Sequence, residues 1–381
     1  MSHPRSDLVR WIRFALSALL ILAATLGVLE VTLRLTGAVR YLERRRQATA
    51  PENTAKNKSY DSAYTYDPYV LMKLKPNLHV EHAGGDSFPE RLYFDFTTND
   101  WGFRCSPFPA EKGAARLLAI GDSCTFGYGV GDAETWPAQV QNILGAGEHR
   151  KGTEAVEVVN AAVPGYTSYQ GLRFLKRDGA RIAPRWLVAG FGVNDCQRVF
   201  DVSQIEAFKM IRPFWWIEAL SSSHLERASF MLRFMYLAPR HLDPTKSRPQ
   251  LTPAEFKDTL SGITAYCRDN GISLLLLVWP MRCQIMKQYA TRDAETAMCE
   301  AASYPAYLEA VASVGKAAGA KVLDLVQVFR DSGRQDLFGD CVHLSAAGYR
   351  LVAEKVTEKM FGVAAATDEN GAASVKEDKG Q

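Results

Sequence analysis

Five short apolar segments alternate with helix-forming stretches from residue 116 onward, and this rhythm constrains the fold more than any other feature of the chain. The segments are apolar almost throughout, which is typical of strands buried on both faces of a sheet. Strands that alternate with helices predict a doubly wound parallel sheet with helices on both sides. The predicted strands cover residues 116–120, 156–160, 186–191, 273–279 and 321–328. The predicted helices cover residues 136–144, 169–182, 253–269, 304–318 and 346–360.

A charge-free apolar run covers residues 14–29 and follows Arg5, Arg10 and Arg13. Together with the apolar residues just after it, the run reaches the roughly 20 residues that a bilayer-spanning helix needs. The prediction is therefore an N-terminal transmembrane helix that contacts the membrane through residues 12–35. A cleavable signal peptide and a buried core helix are the alternatives. No A-x-A cleavage pattern follows the run, which favours an uncleaved anchor.

The orientation of this anchor does not follow from its flanking charges in a simple way. More arginines follow the apolar run than precede it, and the positive-inside rule alone would leave the rest of the chain in the cytoplasm. The arginines that follow are Arg34, Arg40, Arg44, Arg45 and Arg46.

By composition, the chain divides into five parts. They are an N-terminal anchor with its basic flank (1–46), a polar tether (47–68), a β-leaning lead-in region (69–114), the strand–helix domain (115–362) and a disordered tail (363–381). Within the domain, residues 200–249 interrupt the rhythm with many aromatic and Met side chains. A helical excursion that packs on the domain is the plain interpretation of this insertion. A lid, an acyl-binding wall or a surface on the bilayer interface are the alternatives.

Charge and cysteine usage exclude several functions. The 45 basic and 42 acidic residues give a net charge of +3, which offers no electrostatic basis for binding nucleic acid. The seven cysteines contain no C-x-x-C pair and no zinc spacing. Their odd number leaves at least one unpaired in a monomer. Cys283 and Cys299 lie in one stretch between predicted elements and could form a disulfide in an oxidising compartment.

A serine follows the first predicted strand directly, in Gly121-Asp122-Ser123. In a doubly wound sheet, ligands bind beyond the carboxyl ends of the strands, so Ser123 lies where a reacting group is expected. A serine hydroxyl is a weak nucleophile and needs a base within hydrogen-bond reach. Asp340-Cys-Val-His343 precedes the last predicted helix and supplies that base at the same edge. We predict Ser123 as nucleophile, His343 as base and Asp340 as the acid that orients the imidazole.

Three groups could stabilise the oxyanion of an acyl-transfer reaction. They are the backbone N–H of Ser123, the backbone at Gly165 after the second strand, and the side-chain amide of Asn194 after the third. Each residue also has a plain structural interpretation. Asp122 or Asp195 could only cap a helix, Gly165 could only serve a turn, and His343 could be a satisfied loop histidine.

Two further features compete with the assignment of Ser123. A second Gly-Asp-Ser, at residues 85–87, has no apolar strand before it, so Ser87 is predicted to be a turn residue. Cys124, Cys196 and Cys341 stand beside motif residues, either as packing residues or with two of them in a disulfide near the site. Cys124 as an alternative nucleophile is disfavoured, because Ser123 fits the motif register.

Taken in order, these blocks resemble the SGNH/GDSL hydrolase family, over about residues 117–360. The blocks are Gly121-Asp-Ser123, the glycine of Val163-Pro-Gly165, Gly192-Val-Asn-Asp195 and Asp340-Cys-Val-His343. The resemblance implies a flavodoxin-like three-layer α/β/α domain that performs ester hydrolysis or acyl transfer without a metal or organic cofactor. By the same similarity, the four name-giving residues are Ser123, Gly165, Asn194 and His343, with Asp340 as the acid.

The upstream segment Thr98-Asn-Asp-Trp-Gly-Phe-Arg104 resembles one that precedes the serine block in bacterial membrane-anchored members of that family. Those members generally act on envelope or exported carbohydrate. The expectation is a single-pass protein of the bacterial inner membrane with a periplasmic or extracytoplasmic catalytic domain. Its expected substrate is an acyl ester, chiefly acetyl, of a carbohydrate or lipid. An O-acyltransferase that acetylates exopolysaccharide and a non-catalytic glycan-binding scaffold are the alternatives.

Overall fold

The structure is a computed structural model that describes residues 4–36, 63–67, 69–85, 92–107, 115–146, 155–200, 205, 248–286 and 304–363. The chain separates into two units, one of residues 1–56 and 210–244 and the other of residues 57–209 and 245–381. The described part of the first unit is helix α1, Pro4–Thr36.

Helix α1 covers the residues for which the sequence predicts a membrane anchor. Among the residues that the structure describes, no helix has the combination of length and apolar character needed to cross a bilayer. The predicted transmembrane helix is therefore not confirmed.

The second unit follows the predicted alternation of strands and helices. Its first part, in chain order, consists of β1 (Tyr64–Asp67), β2 (Leu71–Leu74), β3 (His79–Gly85), β4 (Leu92–Thr97), β5 (Ala115–Gly121), α2 (Ser123–Phe126), α3 (Trp136–Ala146), β6 (Val156–Asn160), α4 (Ser168–Ile182), β7 (Trp186–Gly190) and α5 (Val193–Cys196). The rest consists of β8 (Arg198–Phe200), β9 (Arg248–Pro249), α6 (Pro253–Asp269), β10 (Ser273–Val278), α7 (Arg282–Ile285), α8 (Tyr304–Ala318), β11 (Lys321–Asp324), α9 (Leu325–Ser332) and α10 (Ala346–Phe361).

The central sheet has five parallel strands in the order β11-β10-β7-β5-β6. Numbered by their sequence within this sheet, the strands are ordered 2-1-3-4-5, which is the flavodoxin-like arrangement. Every residue of β5, the first strand of this sheet in the chain, is buried. The predicted parallel α/β fold is confirmed, and its strand order reverses between β5 and β7. Ligands of such sheets bind outside the carboxyl ends of the strands at this point.

Helices cover the sheet in two groups, as the crossover rule for parallel strands requires. Helix α6 packs against α4 and α8, and α10 packs against α3. Local sequence explains where these helices begin. Thr252 accepts a hydrogen bond from the Glu255 N–H, and the Glu255 carboxylate accepts one from the Thr252 N–H, which makes a capping box in front of α6.

One predicted strand is wrong in its second half. The strand predicted for residues 321–328 ends at Asp324, and helix α9 begins at Leu325. Asp324 caps this helix, because its carboxylate accepts a hydrogen bond from the Gln327 N–H. The buried side chains of Leu325, Val326 and Phe329 fit a helical period as well as an apolar run. His343 therefore follows a helix and not the last strand directly.

The predicted tether is also wrong at its C-terminal end. Residues 64–67 form β1, which pairs antiparallel with β2, and Ala63 and Asp67 are buried. The Asp67 carboxylate accepts hydrogen bonds from the N–H groups of Tyr69 and Val70 and pairs with Arg177 of α4 at 2.7 Å. The sequence predicts a polar linker here, because the partner of Asp67 is far away in the chain.

The lead-in region holds β2, β3 and β4, and Phe94 and Phe96 of β4 are buried. The predicted insertion begins and ends at one antiparallel ribbon, because β8 pairs with β9. Most of the insertion lies outside the described residues, as do Ser87 and residues 364–381 of the predicted tail.

Candidate active site

Ser123 lies just beyond the carboxyl end of β5, as the sequence predicts. Asp122 ends the extended chain and caps the short helix α2 by accepting a hydrogen bond from the Cys124 N–H at 2.9 Å. A side chain at Gly121 would meet the Thr125 hydroxyl at 2.2 Å, so the tight step from strand to helix needs a glycine there. The Ser123 side chain is half-buried.

A continuous chain of hydrogen bonds joins Ser123 to His343 and Asp340. His343 Nε2 lies 2.8 Å from Ser123 Oγ, and His343 Nδ1 lies 2.6 Å from Asp340 Oδ2. Asp340 Oδ1 accepts hydrogen bonds from the N–H groups of Val342 at 2.8 Å and His343 at 2.7 Å. The turn around Asp340 therefore fixes the imidazole by both backbone and side chain. The structure brings together the three residues predicted as nucleophile, base and acid.

The carboxyl group of Asp340 is ionised in this arrangement. Burial acts to raise its pKa, but the neighbouring His343 and the two backbone N–H donors outweigh burial, so the pKa lies below its usual value. An ionised Asp340 can accept a hydrogen bond from the N–H at His343 Nδ1, which leaves Nε2 unprotonated and able to accept the proton of Ser123.

Aromatic residues that the sequence did not single out surround this imidazole. The Tyr128 ring lies 4.5 Å from the His343 ring, centroid to centroid, at 31°. The Trp279 indole N–H donates to the Val342 carbonyl at 3.1 Å, and the Tyr349 hydroxyl donates to the Tyr128 carbonyl at 3.2 Å. The sequence holds one signal for Tyr128, its place between Gly127 and Gly129 just after the serine turn.

The loops that carry Gly165 and Asn194 meet at the same edge of the sheet. After β6, the chain stays bonded to β5, because the Val163 N–H donates to the Gly121 carbonyl at 3.2 Å. Gly165 has φ +85°, a conformation that a residue with a side chain adopts only with strain. The Asn194 amide donates to the carbonyl of Tyr166 at 3.1 Å. The two predicted oxyanion loops are thus in contact next to β5, the strand that precedes Ser123.

Asp195 joins these two loops by hydrogen bonds to residues of both. It is fully buried and accepts hydrogen bonds from the N–H and hydroxyl of Ser168, at 2.9 and 2.6 Å, and from the Gly192 N–H at 3.0 Å. Burial raises its pKa to about 7 against these hydrogen bonds. Asp195 therefore caps a helix, as its plain structural interpretation predicts. Its hydrogen bonds also hold the turn that carries Asn194 against the start of α4.

The cysteines near the site are buried thiols. Cys124, Cys196 and Cys341 are not in disulfide bonds, so the predicted alternative of a disulfide between two of them is wrong. Burial raises the pKa of the Cys124 thiol well above its usual value, which keeps the thiol protonated and a poor nucleophile. Cys283 is disulfide-bonded, while its predicted partner Cys299 lies outside the described residues.

Replacing Asp122 by asparagine should remove a pH-dependent loss of stability. Burial raises the Asp122 pKa from 3.8 to about 6, although the Cys124 N–H and His343 act to lower it. Between these two values, the folded protein keeps the Asp122 proton that the unfolded chain has already released. The protonated acid therefore contributes its full stability below pH 3.8, and this contribution is lost as the pH rises through about 6. An asparagine oxygen can still accept from Cys124.

Chemical denaturation of both proteins between pH 4 and pH 7 tests this prediction. The stability of Asp122→Asn relative to wild type should increase with pH across this range. The comparison cancels other titrating groups, including Asp340, whose lowered pKa acts in the opposite direction. A stability difference that does not change with pH would contradict the prediction.

Within the described part of the chain, no group of three His, Cys, Asp or Glu side chains is placed to hold a metal ion.

Comparisons with known proteins add to this geometry. Residues 119–351 match the sequence profile of the GDSL-like lipase/acylhydrolase family. Over 93 residues, the chain is 36% identical to the thioesterase 1/protease 1/lysophospholipase L1 of Escherichia coli K12, a stretch that covers 24% of this chain and 41% of that protein. The chain thus spans less than half the length of this curated relative.

Two solved structures are similar at lower sequence identity. An acetylxylan esterase from Geobacillus stearothermophilus has a TM-score of 0.42 and 17% identity, over 65% of this chain and 94% of that one. A lipase/acylhydrolase from Enterococcus faecalis has a TM-score of 0.41 and 19% identity, over 65% of this chain and 96% of that one.

Proposed function

Since this chain belongs to the GDSL-like lipase/acylhydrolase family, we propose that it is a carboxylic ester hydrolase that cleaves acyl, chiefly acetyl, esters of envelope or exported carbohydrate or lipid. We propose further that the reaction proceeds through an acyl-enzyme on Ser123. The hydrogen-bond chain from Asp340 through His343 to Ser123 carries this proposal. It stands at the carboxyl edge of the sheet, next to the reversal of strand order, where ligands of such folds bind.

In the first step, Ser123 Oγ attacks the carbonyl carbon of the ester, and its proton moves to His343 Nε2 along the 2.8 Å contact. Asp340 stabilises the imidazolium that forms. When the tetrahedral intermediate collapses, the bond to the alcohol oxygen breaks, and His343 gives its proton to that oxygen. The acyl group then remains on Ser123 as an ester.

The tetrahedral intermediate carries a negative oxygen that needs hydrogen-bond donors. The Ser123 N–H, the backbone at Gly165 and the Asn194 amide are the proposed donors. The Asn194 amide has two N–H bonds, of which one is directed to the Tyr166 carbonyl, so the second is available to a ligand. Each such donor typically contributes about 10²–10³ in rate.

In the second step, a hydroxyl compound attacks the acyl carbon, and His343 accepts its proton. The bond between the acyl carbon and Ser123 Oγ then breaks, and His343 returns the proton to Oγ. Water in this role gives a carboxylic acid and completes hydrolysis, while a sugar hydroxyl gives a new ester and completes transfer. The residues required are the same in both cases, so the product decides between hydrolase and transferase.

Two features support a carbohydrate or lipid ester outside the cytoplasm as the substrate. The segment from Thr98 to Arg104 resembles that of membrane-anchored relatives that act on such material. The disulfide bond of Cys283 suits an oxidising compartment.

The proposed reaction is tested by incubating the full-length protein with p-nitrophenyl acetate, with and without oligosaccharide. We expect p-nitrophenol and free acetate, with mass spectrometry showing unchanged sugar. If acetylated sugar is found, the protein is an O-acyltransferase that uses the same residues, and the hydrolase proposal is wrong. A folded protein that neither turns over the ester nor becomes acylated at Ser123 would contradict the proposal and favour a non-catalytic scaffold.

We also propose that residues 12–35 attach the protein to the bacterial inner membrane, with the catalytic domain on the outer side. Large apolar side chains of α1, among them Phe14, Leu20 and Ile21, are exposed, which supports contact with lipid. Membrane fractions and protease treatment of spheroplasts test this. Recovery in the soluble cytoplasmic fraction would refute it.

A further inference from the structure

The lead-in region reaches the loop behind the nucleophile through one buried arginine. The Arg104 guanidinium has no exposed surface. It contacts backbone carbonyls of the segment that follows Ser123, the Asp95 carbonyl of β4 and the Asp132 carboxylate. The distances are 3.2 Å to Phe126 O, 2.8 Å to Gly127 O, 2.7 Å to Val130 O, 3.3 Å to Asp95 O and 2.7 Å from Nε to Asp132 Oδ1.

Three of these carbonyls, those of Phe126, Gly127 and Val130, belong to one short segment, residues 126–130, which begins at the last residue of α2. Helix α2 starts with Ser123, so the segment is the continuation of the nucleophile turn. Carbonyl groups that face a buried site need donors, since an unpaired buried acceptor costs stability. A guanidinium supplies several donors in a fixed plane and holds several acceptors in one relative geometry, which a lysine ammonium cannot do.

The same segment places Tyr128 over the base. The Tyr128 ring contacts the His343 ring on one side and the Phe94 ring, 4.8 Å away, on the other. The Arg104 guanidinium lies over the rings of Phe94 at 5.4 Å and Phe126 at 4.6 Å. One buried cation therefore joins the turn that carries the nucleophile to the ring that packs on the base.

A second contact holds the arginine itself in place. Asp132 accepts from Arg104 Nε with one oxygen, and its other oxygen accepts from the N–H and hydroxyl of Thr97 at 3.0 and 2.6 Å. Asp132 thereby connects the guanidinium of Arg104 to Thr97 at the end of β4.

We propose that Arg104 is a positioning residue for the Ser123–His343 pair, acting through residues 126–130. This inference rests on the proposed function, because it assigns Arg104 a role in the reaction at Ser123. It makes the lead-in region a part of the active site, although that region precedes the strand–helix domain in the chain. A misplacement of about 1 Å in a reacting group can lower a rate by about 10²-fold, and that is the size of effect expected here.

The chain offers a matched control in Arg116. The two arginines are equally buried, with exposed fractions of 4% and 3%. Arg116 pairs with the Glu157 carboxylate at 2.7 Å and donates to the Ile182 carbonyl at 3.1 Å. It lies at the opposite, amino end of β5 from Ser123. Loss of either buried guanidinium removes one ion pair and hydrogen bonds to carbonyls, and of the two arginines Arg104 is the one that contacts the nucleophile segment.

The experiment compares Arg104→Met, Arg104→Lys, Arg116→Met and Ser123→Ala in the full-length protein. It measures melting temperature, kcat and KM on p-nitrophenyl acetate, and the rate at which a fluorophosphonate labels Ser123. Rates are taken below the lowest melting temperature and normalised to folded protein.

Arg104→Met should lower kcat and the labelling rate by about 10²-fold with KM within about threefold of wild type. Arg104→Lys should show the same pattern less strongly, and Arg116→Met should melt earlier but keep kcat within about threefold. Equal kcat in the two methionine variants would reduce Arg104 to a structural residue and overturn the inference. If wild-type protein is neither active nor labelled at Ser123, the proposed function fails, and the inference fails with it.

Discussion

Replacing Ser123 by alanine should lower kcat for p-nitrophenyl acetate by about 10⁴-fold or more, without loss of the fold. The substitution removes the oxygen that forms the acyl-enzyme, while the Asp340–His343 contact and the surrounding loops keep their partners. Initial rates and intact-protein mass spectrometry after a brief incubation with substrate measure this. Wild type should gain the mass of an acyl group, and the variant should not.

Cys124→Ala is the matched control for this prediction. Cys124 is the next residue, but its thiol is buried and protonated, so its loss should cost some stability and little activity. If Cys124→Ala is inactive while Ser123→Ala retains turnover, the nucleophile is the thiol and the assignment of Ser123 is wrong.

Replacing Asp340 by asparagine should lower kcat by about 10⁴-fold. Asp340 Oδ1 accepts two backbone N–H groups, so an asparagine would keep its oxygen there and turn its NH₂ towards His343 Nδ1. Nδ1 would then have to accept a hydrogen bond, and the ring proton would move to Nε2. In that tautomer, His343 cannot take the proton of Ser123.

Asp336→Asn provides the control in the same loop. Asp336 is exposed and its carboxylate pairs with Arg334 at 2.7 Å, so its replacement should change kcat less than about twofold. Activity of both variants is measured over pH 5–9, together with melting temperature. Equal activity of Asp340→Asn and wild type at any pH in this range would show that Asp340 is not needed to orient His343.

Several elements follow from local sequence alone. Helices α6 and α8 cover the same residues, 253–269 and 304–318, as two of the helices predicted from the sequence. The parallel order of the sheet follows from the crossover rule once the buried strands are identified. The position of Ser123 follows from a motif at the carboxyl end of a parallel strand, and Asp340 and His343 belong to a motif just before the last helix.

Other features depend on contacts that no local pattern records. Helix α9 was predicted as strand, since the apolar residues 325–329 fit both periods and only the cap at Asp324 separates them. Residues 64–67 were predicted as tether, since the partner of Asp67 is 110 residues away at Arg177. The contacts of Arg104 could not be predicted for the same reason. Its acceptors at residues 126–130 are backbone carbonyls, which every residue type carries.

By itself, the amino-acid sequence determined the fold class, the family resemblance and the three residues of the hydrogen-bond chain, because strand burial, helix caps and short motifs act over a few residues. The tertiary structure alone decided which contacts fix the positions of Ser123, His343 and Asp340. Tyr128 packs on His343, Asp195 joins two loops, and Arg104 gathers the carbonyls behind the nucleophile. Such contacts form only when remote segments fold together, since a buried polar group must find its partner wherever the chain brings one.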